Sequence, residues 1–133
     1  MKDHYCDIEE LFTEMSERTT VQKHTLMEHL LSSTRGWTAN QLIKQLGSKA
    51  RSQATIHRNL TNLKESGIIQ VALEDAGQTV YERQNDKHHD HMKCQKCGAY
   101  NCVPCAVPKP KLKERVKITS HSLLYQGLCS KCI

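Results

Sequence analysis

Apolar residues recur at intervals of three and four along the first half of the chain, and this spacing predicts amphipathic helices. In the last of them, Ile56, Leu60 and Leu63 share one side. Thr38 and Gln41 have the spacing of a capping box, which starts a helix that Gly47 can end. The predicted helices span residues 7–18, 21–32, 38–47 and 52–67.

The pattern then changes to alternation between apolar and polar positions, which predicts two strands at 68–73 and 79–83. A turn at 74–78 joins them into a hairpin. Short helices followed by a two-stranded hairpin are typical of a winged-helix domain, whose last core helix enters the major groove of DNA.

The helix at 52–67 presents side chains that suit such a groove. Arginine can bind guanine, asparagine can bind adenine, and threonine or histidine can contact a phosphate or a base edge. A solvated polar face is the simpler interpretation of one isolated helix, but the order of the elements favours DNA. The predicted contacts are Thr55, His57, Arg58 and Asn59, with Arg18 and Arg51 at the DNA backbone.

Composition limits the class of protein without deciding it. The 133 residues allow one or two small domains, and 19 Lys and Arg against 14 Asp and Glu give a net charge of +5. That charge suits nucleic acid and an ordinary surface equally. The N-terminus lacks an apolar leader and no apolar run approaches the ~20 residues of a membrane helix. We therefore expect a cytoplasmic protein that does not enter membranes.

Six of the seven cysteines form three C-x-x-C pairs. Without a secretory leader, such pairs indicate metal ligands or redox thiols rather than disulfides. The first and last pairs predict a closed four-thiolate site for structural zinc. A redox dithiol is the alternative, although the βαβ pattern of thioredoxin-like proteins is absent. The predicted zinc ligands are Cys94, Cys97, Cys129 and Cys132.

A histidine-rich run precedes the first pair, and it is a second candidate for metal binding. In an extended chain His89 and His91 point to one side, and His88 and Asp90 to the other. One tetrapeptide can therefore serve two sites. Before it, residues 84–88 show no periodicity and predict a hinge. The following part predicts short strands at 91–93, 99–103, 116–119 and 122–126, with room for about one helical turn at 109–115.

With these motifs in place, the sequence resembles the ferric uptake regulator (Fur) family of bacterial metal-dependent repressors. The resemblance rests on residues 52–60, 88–98 and 121–132. It implies an α+β fold with an N-terminal winged helix-turn-helix domain (1–83), the hinge (84–88), and a small α/β dimerisation domain with structural zinc (89–133). It further implies a homodimer, not an enzyme, that binds an A·T-rich inverted repeat in double-stranded DNA when loaded with metal.

The resemblance also implies particular metal ligands. The four cysteines above match the structural zinc site. A sensing site matches Glu82, His89 and His91, with Cys102 at a position where the family has a carboxylate. A further site matches His88, Asp90 and His121, to which we add Cys105. The chain departs from the family's pattern in three places. Gly36-Trp37 stands where many members have a histidine of the sensing site, His57 replaces a tyrosine, and the dimerisation helix is shortened.

Cys102 bears on the sensed metal. Thiolate favours zinc over the oxygen-loving Mn²⁺ and iron, so we expect a zinc-sensing regulator of metal-uptake genes. An iron- or manganese-dependent regulator is the alternative, as is a peroxide sensor that uses either iron at the histidine site or oxidation of Cys102 and Cys105. A small zinc hydrolase with Glu82 as general base is a third reading, which lacks a suggested substrate pocket.

Overall fold

The structure is a computed structural model that describes residues 21–47, 52–85 and 87–133. The helix expected at 7–18 and the predicted DNA contacts Arg18 and Arg51 lie outside these ranges. The chain divides into two compact units, Met1–Asn85 and Asp86–Ile133. No helix among the described residues is long and apolar enough to cross a membrane.

Three helices and a short strand form the described start of the first unit. They are α1 (Val21–Leu31), β1 (Trp37–Thr38), α2 (Ala39–Leu46) and α3 (Gln53–Glu65). The predicted capping box is confirmed: the Gln41 amide donates to Thr38 Oγ1, and the Thr38 amide donates to Gln41 Oε1, each at 3.1 Å. Ser52 caps α3 by accepting from the Thr55 amide at 3.1 Å.

A hairpin completes the unit, with β2 (Ile69–Asp75) antiparallel to β3 (Gln78–Arg83). β1 pairs with the other side of β3, so the sheet order is β1-β3-β2. The loop is only Ala76-Gly77, with φ of +51° and +78°, as a two-residue turn of the primed type requires. The predicted hairpin is confirmed, with strands longer and a turn shorter than expected.

The apolar stripes of the helices meet over the inner face of this sheet, as the three-and-four spacing predicts. This is the winged-helix arrangement. Its core consists of Leu26, Met27, Leu30, Leu31, Trp37, Ala39, Leu42, Leu46, Ile56, Leu60, Leu63, Ile68 and Ile69.

The second unit is built on a three-stranded sheet of β4 (Asp90–Cys94), β5 (Tyr100–Val103) and β6 (Leu124–Gly127). The order is β5-β4-β6, with β4 antiparallel to β5 and parallel to β6. Together with the first unit this makes the chain an α+β protein, as predicted.

Residues 104–123 form neither helix nor strand, so the helical turn predicted at 109–115 and the strand predicted at 116–119 are wrong. Pro104, Pro108 and Pro110 lack the amide hydrogen that either structure needs. From 109 to 118 charged residues occupy every second position and position 114 as well, which gives a helix no continuous apolar side. The alternation at 115–118 suits a strand, but 116–119 pairs with no strand among the described residues.

Candidate metal centres and nucleic-acid interface

Four cysteines meet at one end of the second sheet. β4 and β6 are parallel and Cys94 pairs with Gly127, so the turns that follow both strands lie side by side. The four Sγ atoms of Cys94, Cys97, Cys129 and Cys132 lie within 4.8 Å of one another. Tetrahedral Zn–S bonds of about 2.3 Å place sulfurs about 3.8 Å apart. Cys97 Sγ and Cys129 Sγ are 3.8 Å apart, so this cage fits zinc.

Backbone amides prepare this cluster for a cation. The amide of Cys97 points at Cys94 Sγ at 3.4 Å, and such donors lower the pKa of the Cys94 thiol to about 5. The backbone of Lys131 likewise lowers the pKa of Cys129. Hydrogen bonding with Cys129 raises the pKa of Cys132 to about 12. Without a metal, Cys94 and Cys129 therefore lose their protons more easily than Cys132 does. A divalent cation would stabilise all four sulfurs as thiolates.

A second cluster lies on one side of β4. His88 Nε2 and His121 Nε2 are 2.9 Å apart, and both face Asp90 Oδ1, at 3.6 Å and 3.4 Å. Cys105 Sγ is 3.5 Å from His121 Nε2. The structure thus brings together all four residues of the further site: His88, Asp90, Cys105 and His121.

Asp90 provides the fit test for this cluster. Its side chain is fully buried, and neither carboxylate oxygen accepts a hydrogen bond from the described residues. A buried carboxylate without a hydrogen bond is costly unless a cation offsets its charge. Two imidazoles, a thiol and this carboxylate supply the nitrogen, sulfur and oxygen ligands that zinc accepts. The cluster therefore suits a divalent metal.

A third cluster uses the alternate residues of the same strand. The rings of His89 and His91 are 4.6 Å apart, and His91 pairs with Cys102 across β4 and β5. The ligand atoms of these three residues lie within 4.8 Å of one another. His89 Nδ1 is 3.0 Å from the Lys87 carbonyl. A carbonyl can only accept, so Nδ1 carries the proton and Nε2 keeps its lone pair for a metal.

Glu82, the remaining predicted sensing residue, belongs to the first unit. It lies on β3, is 3% exposed, and accepts a hydrogen bond from Gln70 Nε2 at 2.8 Å. This partner on the neighbouring strand β2 fixes the position of the carboxylate within the hairpin. The hydrogen bond therefore orients the Glu82 carboxylate through its Oε1.

The predicted base-reading residues lie along α3. His57 and Arg58 are exposed, whereas Thr55 and Asn59 are half-buried. Thr55 Oγ1 is 2.8 Å from Ser52 Oγ, so this hydroxyl supports the helix cap. Asn59 Nδ2 is buried and has no hydrogen-bond partner among the described residues. His57 and Arg58 are therefore the most accessible members of the predicted set.

The hairpin of β2 and β3, which we call the wing, adds residues that the sequence analysis did not predict. His57 lines a cavity of about 260 Å³ together with Asn40 at the start of α2 and Gln78 and Thr79 of β3. These polar groups share one surface with the exposed face of α3. The signal was present in the sequence, since Gln78 and Thr79 directly follow the hairpin turn, which in a winged helix lies beside the recognition helix.

A winged helix followed by a unit with three cysteine- and histidine-rich clusters defines a class of metal-binding proteins with a DNA-reading fold. The chain belongs to the ferric uptake regulator family, whose model matches residues 14–125.

Relatives and solved structures agree with this assignment. The ferric uptake regulation protein of Neisseria meningitidis is 36% identical over 84 residues, a match that spans 59% of this chain but only 58% of that protein. The peroxide operon regulator of Bacillus subtilis is 27% identical over 132 residues, covering 92% of this chain and 89% of that one. A structure described as a zinc-bound manganese uptake regulator shares the fold, with a TM-score of 0.66, 23% identity, and coverage of 92% and 98%.

Proposed function

We propose that the protein is a metal-responsive transcriptional repressor that acts as a homodimer on an A·T-rich inverted repeat. The observation that carries this proposal is the double use of residues 88–91, where β4 begins. His88 and Asp90 contribute to one ligand cluster, while His89 and His91 contribute to another. Two such clusters in a chain with a winged helix suit a protein whose DNA affinity depends on metal. Because it acts on the chromosome, we place it in the cytoplasm.

Each cluster has its own role in this proposal. The cage of four cysteines is the structural zinc site that stabilises the second unit. We assign the sensing site to His89, His91 and Cys102 of the second unit, and the resemblance to the family implies Glu82 as its carboxylate ligand. A metal bound there supplies charge neutralisation and a fixed link between its ligands. The imidazole of His89 is already oriented by the Lys87 carbonyl, so little side-chain freedom is lost on binding.

Zinc is the metal that we assign to the sensing site. The support is the sulfur of Cys102 beside two imidazoles, since thiolate and imidazole ligands favour zinc over Mn²⁺. The relatives described above are named for iron, manganese or peroxide. The assignment of zinc therefore depends on this chain's own ligands.

The test measures fluorescence anisotropy with an A·T-rich inverted-repeat duplex from the protein's own promoter. Protein that keeps its structural zinc is titrated with Zn²⁺, Fe²⁺ or Mn²⁺. We expect Zn²⁺ to act at the lowest free concentration and to tighten DNA binding about 100-fold, or about 2.7 kcal/mol. Cys102→Ser should abolish this response. Cys6→Ser is the matched control, because Cys6 lies outside the three C-x-x-C pairs.

Activation by Fe²⁺ or Mn²⁺ that Cys102→Ser leaves unchanged would reject zinc sensing and leave an iron- or manganese-dependent repressor. DNA binding that ignores every metal would reject the whole proposal.

Peroxide sensing is a second candidate because Cys105 is exposed and Cys102 is half-exposed in one C-x-x-C pair. Accessible thiols that can become thiolates are the ones that oxidise readily. Loss of DNA binding in mild hydrogen peroxide, with the structural zinc retained, would favour this candidate. Cys102→Ser and Cys105→Ser should then each make the protein resistant.

A zinc hydrolase has less support, since the relatives named above are regulators rather than enzymes.

A further inference from the structure

The positive charge of the chain is unevenly distributed between its two units. Residues 1–85 contain ten Lys and Arg against eleven Asp and Glu, whereas residues 86–133 contain nine against three. The entire net charge of +5 therefore originates in the second unit. This is unexpected for a protein proposed to bind DNA through its first unit, because neutralised phosphates supply most of the non-specific affinity of such proteins.

Most of that charge lies in one stretch, residues 109–117, which we term the basic segment. Five cations occupy every second position, and Glu114 is its single acid. All five are exposed, and no carboxylate in the described parts of the chain forms an ion pair with them. The five are Lys109, Lys111, Lys113, Arg115 and Lys117.

The basic segment belongs to a connection of twenty residues, 104–123, that forms neither helix nor strand. Connections of this length inside a small unit are uncommon and are often functional. Pro110, Val116 and Ile118 line a cleft of about 820 Å³ in the second unit, and Lys109 is the one cation of the five that reaches it. Leu112 and the other four cations do not line the cleft and are exposed.

We propose that the basic segment is a second, sequence-independent contact with DNA phosphates, additional to the recognition helix. This inference rests on the proposed function. A row of lysines and an arginine without acidic partners is complementary to a polyanion. A second copy of the chain suits the segment less well. An interface with two-fold symmetry that placed the segment against itself would bring like charges together.

The experiment measures the dissociation constant of the metal-loaded protein between 50 and 200 mM KCl. Two duplexes are used, the A·T-rich inverted repeat and an unrelated sequence of equal length. The variant is Lys109→Gln/Lys111→Gln/Lys113→Gln. Each lost phosphate contact makes the slope of log K against log[salt] shallower by about 0.9, so three contacts per chain, or six per homodimer, make it shallower by up to about 5.4. Across this fourfold range of salt, the loss of affinity should shrink by up to about 1,800-fold.

Two further variants are controls. Lys109→Arg/Lys111→Arg/Lys113→Arg keeps the charge and should keep the slope. Lys96→Gln/Lys131→Gln removes two exposed cations of the same unit outside the basic segment, and it should change the slope little. Phosphate contacts carry no sequence information, so the Gln variant should weaken binding to both duplexes by a similar factor.

An unchanged slope in the Gln variant would overturn the inference, while preference of the wild type for the inverted repeat would leave the proposed function intact. An equal change of the salt slope in the Lys96→Gln/Lys131→Gln control would also overturn it, because the net charge of the unit would then explain the effect. So would a shift of the Gln variant from dimer to monomer in sedimentation, since the segment would then serve self-association. If the wild type binds neither duplex, the proposed function and the inference both fail.

Discussion

Asp90 imposes the strictest electrostatic requirement of any single residue in the second unit. Its carboxylate is fully buried beside two imidazoles and a thiol, yet accepts no hydrogen bond from the described chain. Cys102 has a comparable role in the neighbouring cluster, where it adds sulfur to the two imidazoles of His89 and His91. In the proposed function, single residues therefore determine whether each cluster binds a metal and which metal it prefers.

Replacing Asp90 by Asn should affect the metal-free and the metal-bound states of its cluster differently. The amide carries no charge, so it lacks the attraction for a divalent cation but also the cost of a buried carboxylate that accepts no hydrogen bond. We expect little or no loss of stability when this cluster is empty and the four-cysteine cage keeps its zinc. At a Zn²⁺ concentration of 100 times the dissociation constant, wild type gains about 2.7 kcal/mol, and the variant should lose this gain.

Thermal unfolding of protein that keeps zinc in the four-cysteine cage, measured with and without added Zn²⁺, gives both quantities. Glu114→Gln, which neutralises an exposed carboxylate of the same unit, is the control and should retain the zinc-dependent gain. A variant that unfolds easily without metal, yet is stabilised by zinc as wild type is, would show that Asp90 has a structural role only.

Cys102→Asp should change the metal preference of the third cluster. Aspartate restores an oxygen ligand where thiolate stands, and oxygen ligands suit Mn²⁺ and Fe²⁺ better than sulfur does. We expect the ratio of Zn²⁺ to Mn²⁺ affinity, read from metal-dependent DNA binding, to fall by at least about tenfold, or about 1.4 kcal/mol. Cys105→Asp makes the same replacement in the other cluster, and an equal fall there would contradict the assignment of Cys102.

At the scale of elements, β4 and the wing show how short segments organise the surfaces. β4 places alternate residues on opposite sides, and its parallel pairing with β6 brings Cys129 and Cys132 to Cys94 and Cys97. In the wing, the two-residue turn at Ala76-Gly77 ends the hairpin beside the cavity that His57 lines. Strand pairing thus positions the four cysteines, and the hairpin turn lies beside the predicted DNA-contacting residue His57.

Ala76→Gly should stabilise the wing. Ala76 has φ of +51°, a conformation that costs most residues about 1–2 kcal/mol and glycine almost nothing. Glycine also has a more disordered unfolded state, so we expect a net gain of roughly 0.5 kcal/mol. Gly77→Ala, at φ of +78°, is the opposite change and should destabilise.

Chemical unfolding followed by fluorescence measures this gain, because Trp37 is the sole tryptophan and lies on β1, which pairs with β3 of the wing. Equal effects of both substitutions on the midpoint would contradict the turn geometry.

Sequence predicted the local elements better than it predicted their pairing. Thr38, Gln41 and Gly47 mark α2 because capping involves neighbouring residues only. The side-chain alternation from His88 to His91 follows from extended backbone alone. The parallel pairing of β4 with β6 joins residues over thirty positions apart, and no local pattern specifies it. The failure at 109–115 has a different cause, since the prolines and the charged residues at every second position were visible in the sequence and oppose a helix that only the length of the segment allowed.

At the scale of the whole molecule, the two units differ in what stabilises them. The first unit has a core of apolar side chains from three helices and the hairpin. The buried residues of the second unit are few, and they include the candidate ligands Asp90, His91 and Cys94 beside Ala99 and Tyr100. A unit with so small an apolar core needs another source of free energy, and structural zinc supplies on the order of 10 kcal/mol in comparable sites.

Removal of zinc by a strong chelator should therefore unfold the second unit and leave the first folded. We expect amide hydrogens of β4, β5 and β6 to lose their protection from exchange, because the four-cysteine cage that ties β4 to β6 is gone. Helical circular dichroism and Trp37 fluorescence should change little, since α1, α2 and α3 pack on an apolar core. Cys94→Ser should reproduce the effect without a chelator, whereas Cys105→Ser, outside the cage, should not. Loss of the helical signal together with exchange protection would contradict this division, because it would show that the first unit depends on the zinc-stabilised second unit for its fold.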